Sequence, residues 1–127
     1  MTEKPLLFQK PDFHQGVNVT VRRGAKWFGM LEVGDYVEIE ATEGFENEGM
    51  TGNYGYHLVL GVAFVKDLDD IDSELLKFEH DPTCRTDDGL LKCLREVYGD
   101  NVDDCGEGFS VVVFYYGESL VGPGIRL

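Results

Sequence analysis

Val17, Val19 and Val21 alternate with Asn18, Thr20 and Arg22, the period-two pattern of a half-buried strand. On such a strand the valines face a core, and Asn18, Thr20 and Arg22 share the opposite face at about 7 Å between alternate residues. The segment Leu31–Ile39 follows, with Tyr36, Val37 and Ile39 as a strand. Gly34-Asp35 is the tight turn that opens it: Gly takes positive φ and Asp bonds its own backbone. Pro5–Gln9 is a short apolar strand candidate, and Phe109–Tyr116 a final buried strand. Tyr56–Val65 is the most apolar stretch, predicted as a central strand with His57 at its edge and Gly61 at a bulge.

Helical spacing occurs twice. Leu90, Leu91, Leu94, Val97 and Tyr98 form one stripe over Thr86–Gly99, with Thr86 or Asp87 as N-cap and Gly99 as the stop. In Lys66–Asp81, Leu68, Ile71, Leu75 and Phe78 recur at helical spacing, Asp72 or Ser73 can cap a short helix, and seven acids are expected on a solvated face. The rest reads as connections. Pro11–Gly16 is a turn of helix or a loop, with Phe13 in the core and His14 exposed; Gly24–Leu31 is a loop carrying Trp27 and Phe28. Ala41–Tyr56 is a surface loop or loose hairpin, long enough for a mobile flap, whose Tyr54 and Tyr56 either anchor it or close over a ligand. Gly117–Leu127 is a loosely held tail.

A chain of 127 residues fits one domain and can bury a real core. No apolar run approaches the ~20 residues of a membrane span, and the N-terminus lacks a signal peptide's apolar region, so the cytoplasm is the expected compartment. Cys84, Cys93 and Cys105 are odd in number and predict reduced thiols. His80, Cys84, Cys93 and Cys105 lack the paired spacing of a zinc set, and no metal or cofactor is expected.

The net charge of −13 opposes tight binding to a polyanion, which needs many Lys/Arg–phosphate contacts. From Phe13 to Leu31, however, there is no acidic residue, while Arg22, Arg23 and Lys26 all lie there. This patch suits a nucleoside or nucleotide, with Trp27 serving either as core or as a stacking wall for a base.

The order strand, short turn, Thr20-Val21-Arg22 strand, Val33-Gly34-Asp35 strand, long apolar strand, helix ending in Val97-Tyr98, and last strand Phe109–Phe114 resembles the ASCH family. With Phe8 and Gly16 as further landmarks, the likeness covers about Leu6–Tyr116, within one domain over 1–127 and a tail from 117. It implies an α+β fold: a PUA-like, small, mostly antiparallel β-barrel with flanking helices. ASCH relatives are linked to RNA binding, RNA-directed chemistry and hydrolysis of acetylcytidine, and small members are similar to proteins common in phage genomes. In the acetylcytidine amidohydrolases a lysine three residues before a threonine activates its hydroxyl, and a distal carboxylate completes the site. The threonine position here is Thr20 and the lysine position is Val17; Lys26 is the remaining candidate amine, and Glu74, Glu79 and Asp81 are the candidate carboxylates.

The sequence is therefore compatible with three functions. The first is binding of RNA, a nucleoside or a nucleotide in a cleft lined by Thr20, Arg22, Arg23, Lys26 and Trp27. The second is an amidohydrolase or ribonuclease using Thr20, Lys26 and Glu74 or Glu79 in the same cleft. The third is a non-catalytic inhibitor that engages a protein partner through the acidic face Asp67–Asp81.

Overall fold

A computed structural model describes residues 5–45, 52–103 and 106–120. The alternating valine segment is strand β2 (Gly16–Arg23), and it pairs antiparallel with the last strand, β5 (Phe109–Leu120), placing Thr20 opposite Val112 and Arg22 opposite Ser110. With β1 (Leu6–Phe8), β3 (Tyr36–Ala41) and β4 (Asn53–Val65) they form one sheet in the order β1-β3-β4-β5-β2. Among these five strands β1 and β3 pair parallel and the other pairs are antiparallel. The β4–β5 register shifts between Val59 and Gly61, the bulge expected at that glycine.

The sheet curls into a half-barrel, so the architecture is α+β with few helices. Leu6, Phe8, Val37, Ile39, Val59, Val112 and Phe114 pack on one face. Trp27 and Leu31 join them from α1 (Lys26–Met30), which stands where a loop is predicted. A five-residue helix is too short to show periodicity; burial of the Trp27 ring holds it against the sheet. Val19, Val21, Phe109 and Val111 make the opposite face, covered by Leu90 and Leu94 of α3 (Asp87–Tyr98). Thr86 caps α3, accepting from the Gly89 N–H at 3.1 Å, and Gly99 follows its last turn. Among the described residues no helix is long and apolar enough to cross a membrane.

Several local expectations are revised. β2 is buried on both faces, Asn18 and Thr20 included, because the curl turns its polar side inward. Asn18 is satisfied there by donating Nδ2–H to the His14 and Gly16 carbonyls at 2.8 and 3.1 Å. His14 is half-buried, its Nε2 lying 2.5 Å from the Val17 carbonyl. His57 is buried rather than at a strand edge, stacked on Tyr116 and 2.7 Å from the Tyr54 carbonyl. Tyr54 belongs to β4 and to the core, and Gly117–Leu120 of the expected tail continue β5, held by pairing with β4, while residues 46–51 of the expected flap and 121–127 of the tail lie outside the described residues.

The acidic segment does not form one helix. It breaks into a 3-10 turn (Leu68–Asp70) and the single turn α2 (Ser73–Leu76), capped by Asp72. Beyond α2 the chain extends along the free edge of β2: Val19 N–H donates to the Phe78 carbonyl at 2.7 Å, and His80 N–H to the Val19 carbonyl at 3.0 Å. An extended stretch alternates with period two. Phe78 therefore points outward, 45% exposed, and Glu79 points inward, 2% exposed.

Candidate functional site

The curl brings the edge strands β1 and β2 toward each other, and the Phe78–His80 stretch closes on β2 beside them. At this seam lies a cavity of about 180 Å³. β1 and the residues after it supply Phe8 and Lys10, β2 supplies Thr20 and Arg22, and the seam stretch supplies Glu79, His80 and Asp81. The C-terminal part of α3, with Tyr98, forms the remaining wall.

Arg22 is the centre of this arrangement. Its Nε–H donates to Thr20 Oγ1 at 3.2 Å and its Nη1–H to the Leu7 carbonyl at 2.7 Å, which ties β2 to β1. The guanidinium lies 4.4 Å from the centre of the Phe8 ring, a cation–π contact. Two of the five guanidinium N–H groups are thus used, and the other three donate to no described residue. Among the described residues no carboxylate forms an ion pair with it. Burial lowers the Arg22 pKa from its ordinary value, while attraction to Tyr98 and Glu79 works the other way. A half-buried guanidinium without a full set of partners gains most from an acceptor-rich or anionic ligand.

The acceptor side is equally organised. The Glu79 carboxylate contacts His80 Nδ1 and accepts the Asp81 N–H at 3.1 Å, and Arg85 Nε–H holds the Glu79 carbonyl at 3.0 Å. Asp81 Oδ1 accepts from the Thr83 N–H and hydroxyl at 2.9 and 2.8 Å. Lys10 Nζ stands 3.2 Å from Asp81 Oδ2, an ion pair not aligned as a hydrogen bond. Burial pushes the Asp81 carboxyl up, but the two Thr83 hydrogen bonds and Lys10 together hold it below the usual range.

The structure thus brings Thr20, Arg22, Glu79 and Asp81 together. It does not bring Arg23, Lys26, Trp27 or Glu74 to that cavity. Arg23 turns to the other side of β2, pairing with Glu107 at 3.2 Å and lying over the Tyr98 ring at 5.1 Å. Trp27 is a core ring of α1, with the exposed Lys26 ammonium 5.5 Å from it. Glu74 is exposed and pairs with Lys77. Lys10 and His80 are pocket residues that sequence reasoning missed; Lys10 sits outside every periodic segment, and His80 is in the pocket only because the seam stretch is extended.

Of the acids between Asp67 and Asp81, Glu79 and Asp81 are buried, which leaves Asp67, Asp69, Asp70, Asp72 and Glu74 on the surface. Cys84 and Cys93 form a disulfide rather than the reduced thiols expected: the 3-10 turn Pro82–Cys84 packs on α3 and places their Cα atoms 6.4 Å apart. Cys105 lies outside the described residues. No family model, curated protein or solved structure matches the chain.

Proposed function

We propose that the seam pocket binds a nucleoside or nucleotide, free or at an RNA end, and that the chain is an ASCH-type, PUA-like domain. The observation that carries this reading is the pairing of Thr20 with a half-buried Arg22 whose three remaining N–H donors have no described partner. Around them stand acceptors on Glu79 and Asp81 and a second cation, Lys10. A nucleobase edge presents donors and acceptors side by side, so it matches a mixed lining better than a simple anion does. At about 180 Å³ the cavity is smaller than the ~300–1,000 Å³ of drug-sized ligand sites, which suits one base or nucleoside. The net charge of −13 favours such a compact ligand over a long polyanion.

Hydrolysis is the second reading, and Thr20, Glu79 and the Lys10 amine lining a single cavity is the observation in its favour. Against it, the Thr20 oxygen accepts from Arg22, a group that only donates and cannot take the hydroxyl proton. A thermal-shift panel of nucleosides and nucleotides tests the binding reading: at least one should raise Tm in the wild type and not in Arg22→Lys. A flat panel overturns it. Acetylcytidine turnover tests the second reading, since equal rates for wild type and Thr20→Ala exclude a Thr20 mechanism.

A further inference from the structure

Asp81, Cys84 and Cys93 place a carboxylate oxygen and two sulfurs within 4.8 Å of one another, and all three residues line the seam cavity. Their backbone is fixed. Asp81 caps the Pro82–Cys84 turn, and that turn is pressed so closely on α3 that a Cβ on Gly89 would stand 2.1 Å from the Thr83 carbonyl. The Thr83 N–H and hydroxyl hold Asp81 Oδ1, and buried Oδ2 is left, among the described residues, to the Lys10 ammonium at 3.2 Å. The residue is 5% exposed, so Oδ2 is a buried acceptor at the same spot as the sulfurs.

We propose that, once the Cys84–Cys93 disulfide is reduced, Asp81, Cys84 and Cys93 bind a thiophilic divalent cation of the zinc class. A dithiol reductant supplies two electrons and two protons, becomes a cyclic disulfide, and leaves two cysteine thiols. The cation then binds the two sulfurs as thiolates, releasing both protons, and takes the place of the Lys10 ammonium beside Asp81. Zn–S bonds of about 2.3 Å and Zn–O bonds of about 2.0–2.2 Å put tetrahedral ligand atoms about 3.4–3.8 Å apart. In the disulfide the two sulfurs are at bonding distance with the Asp81 oxygen within 4.8 Å of both, so reduction has only to let the sulfurs part to reach that spacing. Two sulfurs and one oxygen disfavour magnesium and calcium, which take oxygen ligands. All three residues line the cavity, so a cation held by them would adjoin the pocket. Oxidation removes two of the three donors, so disulfide formation and metal binding exclude each other. This inference stands independently of what organic ligand the pocket takes.

The test uses the full chain, reduced with a phosphine under nitrogen, freed of reductant and titrated with Co²⁺. A thiolate-to-cobalt charge-transfer band should grow to saturation at one equivalent, be abolished by added Zn²⁺, and be absent from protein oxidised with a small-molecule disulfide. Asp81→Asn should weaken Co²⁺ binding by at least the ~10–100-fold that loss of an outer-shell partner costs. No band in the reduced wild type overturns the proposal. So does an undiminished band in Cys84→Ser/Cys93→Ser, which would place the metal on Cys105. The oxidised and reduced wild-type arms decide the matter even where a variant fails to fold.

Discussion

Arg22 joins the two edge strands of the half-barrel, and its removal has a cost that can be worked out. Arg22→Ala deletes the bond to Thr20 at 3.2 Å, the bond to the Leu7 carbonyl at 2.7 Å and the contact with the Phe8 ring at 4.4 Å. Hydrogen bonds to charged groups contribute about 1.5–3 kcal/mol. Arg22 is only half-buried, and Leu7 is exposed enough for water to replace the lost donor. About 1–1.5 kcal/mol for each bond is therefore the better figure. The ring contact adds about 0.5–1 kcal/mol, for a total near 3 kcal/mol. Unfolding entropy of about 2.1 cal/mol/K per residue over a chain of this size converts that to a Tm drop of roughly 10 °C. Arg23→Ala is the control: its ion pair with Glu107 is solvent-exposed and its Tyr98 ring contact is long at 5.1 Å, so its loss should cost about 1 kcal/mol. Arg22→Lys keeps the charge without the fork and should fall between the two. Calorimetric or urea unfolding of the three variants gives the answer. Equal losses for Arg22→Ala and Arg23→Ala would refute the seam.

Three further outcomes follow from the same geometry. Gly89→Ala in an open helix would stabilise by about 0.5–1 kcal/mol, but here its Cβ meets the Thr83 carbonyl at 2.1 Å. It should therefore destabilise by about 1–3 kcal/mol, and a raised Tm would contradict the packing of the Pro82–Cys84 turn on α3. Burial lowers the His57 pKa, against the smaller opposing effect of its bond to Tyr54, so the unfolded chain takes up the proton first. The stability due to neutral His57 is complete above about pH 6.5 and is lost as pH falls from there through the folded-state pKa. The stability gap between wild type and His57→Gln should narrow over that fall, and a constant gap would refute it. Lys26→Ala should leave cytidine monophosphate affinity within about twofold, since Lys26 is not at the seam cavity; a large loss by calorimetric titration would return the site to α1.

The parts of this fold legible in the sequence are those governed by local pattern. Alternation located β2, a near-continuous apolar run located β5, the Gly34-Asp35 turn announced β3, and Thr86 with Gly99 bounded α3. Gly34 does adopt positive φ, and Asp35 Oδ2 accepts the Glu32 N–H at 2.9 Å. The shared face of Thr20 and Arg22 followed from strand geometry, and both line one cavity. What was not legible depends on contacts distant in sequence. Phe78 fits a helical stripe on paper, and only the backbone pairing with Val19 makes the stretch extended and turns Glu79 inward. Acid count suggested a solvated face, yet Glu79 turns inward with its carboxylate met by His80 and the Asp81 N–H, and Asp81 is buried between the neighbouring Thr83 and Lys10, which arrives from beyond β1. The Cys84–Cys93 pairing rests on a turn packing against a helix, which spacing alone does not encode. A cluster of cations near Trp27 suggested one patch, but Arg22 and Arg23 alternate to opposite sides of β2 and the α1 residues lie elsewhere.

The proposed function requires that Arg22 and Thr20 meet a nucleoside-type ligand at the seam. A ¹H–¹⁵N titration with cytidine monophosphate and acetylcytidine reads this directly, because the Arg22 Nε–H gives its own resonance. Saturable shifts at the Arg22 Nε–H and at the Thr20, His80 and Tyr98 amides are the predicted result. Shifts confined to Lys26, Trp27 and the face of α1, or none at all, would contradict it.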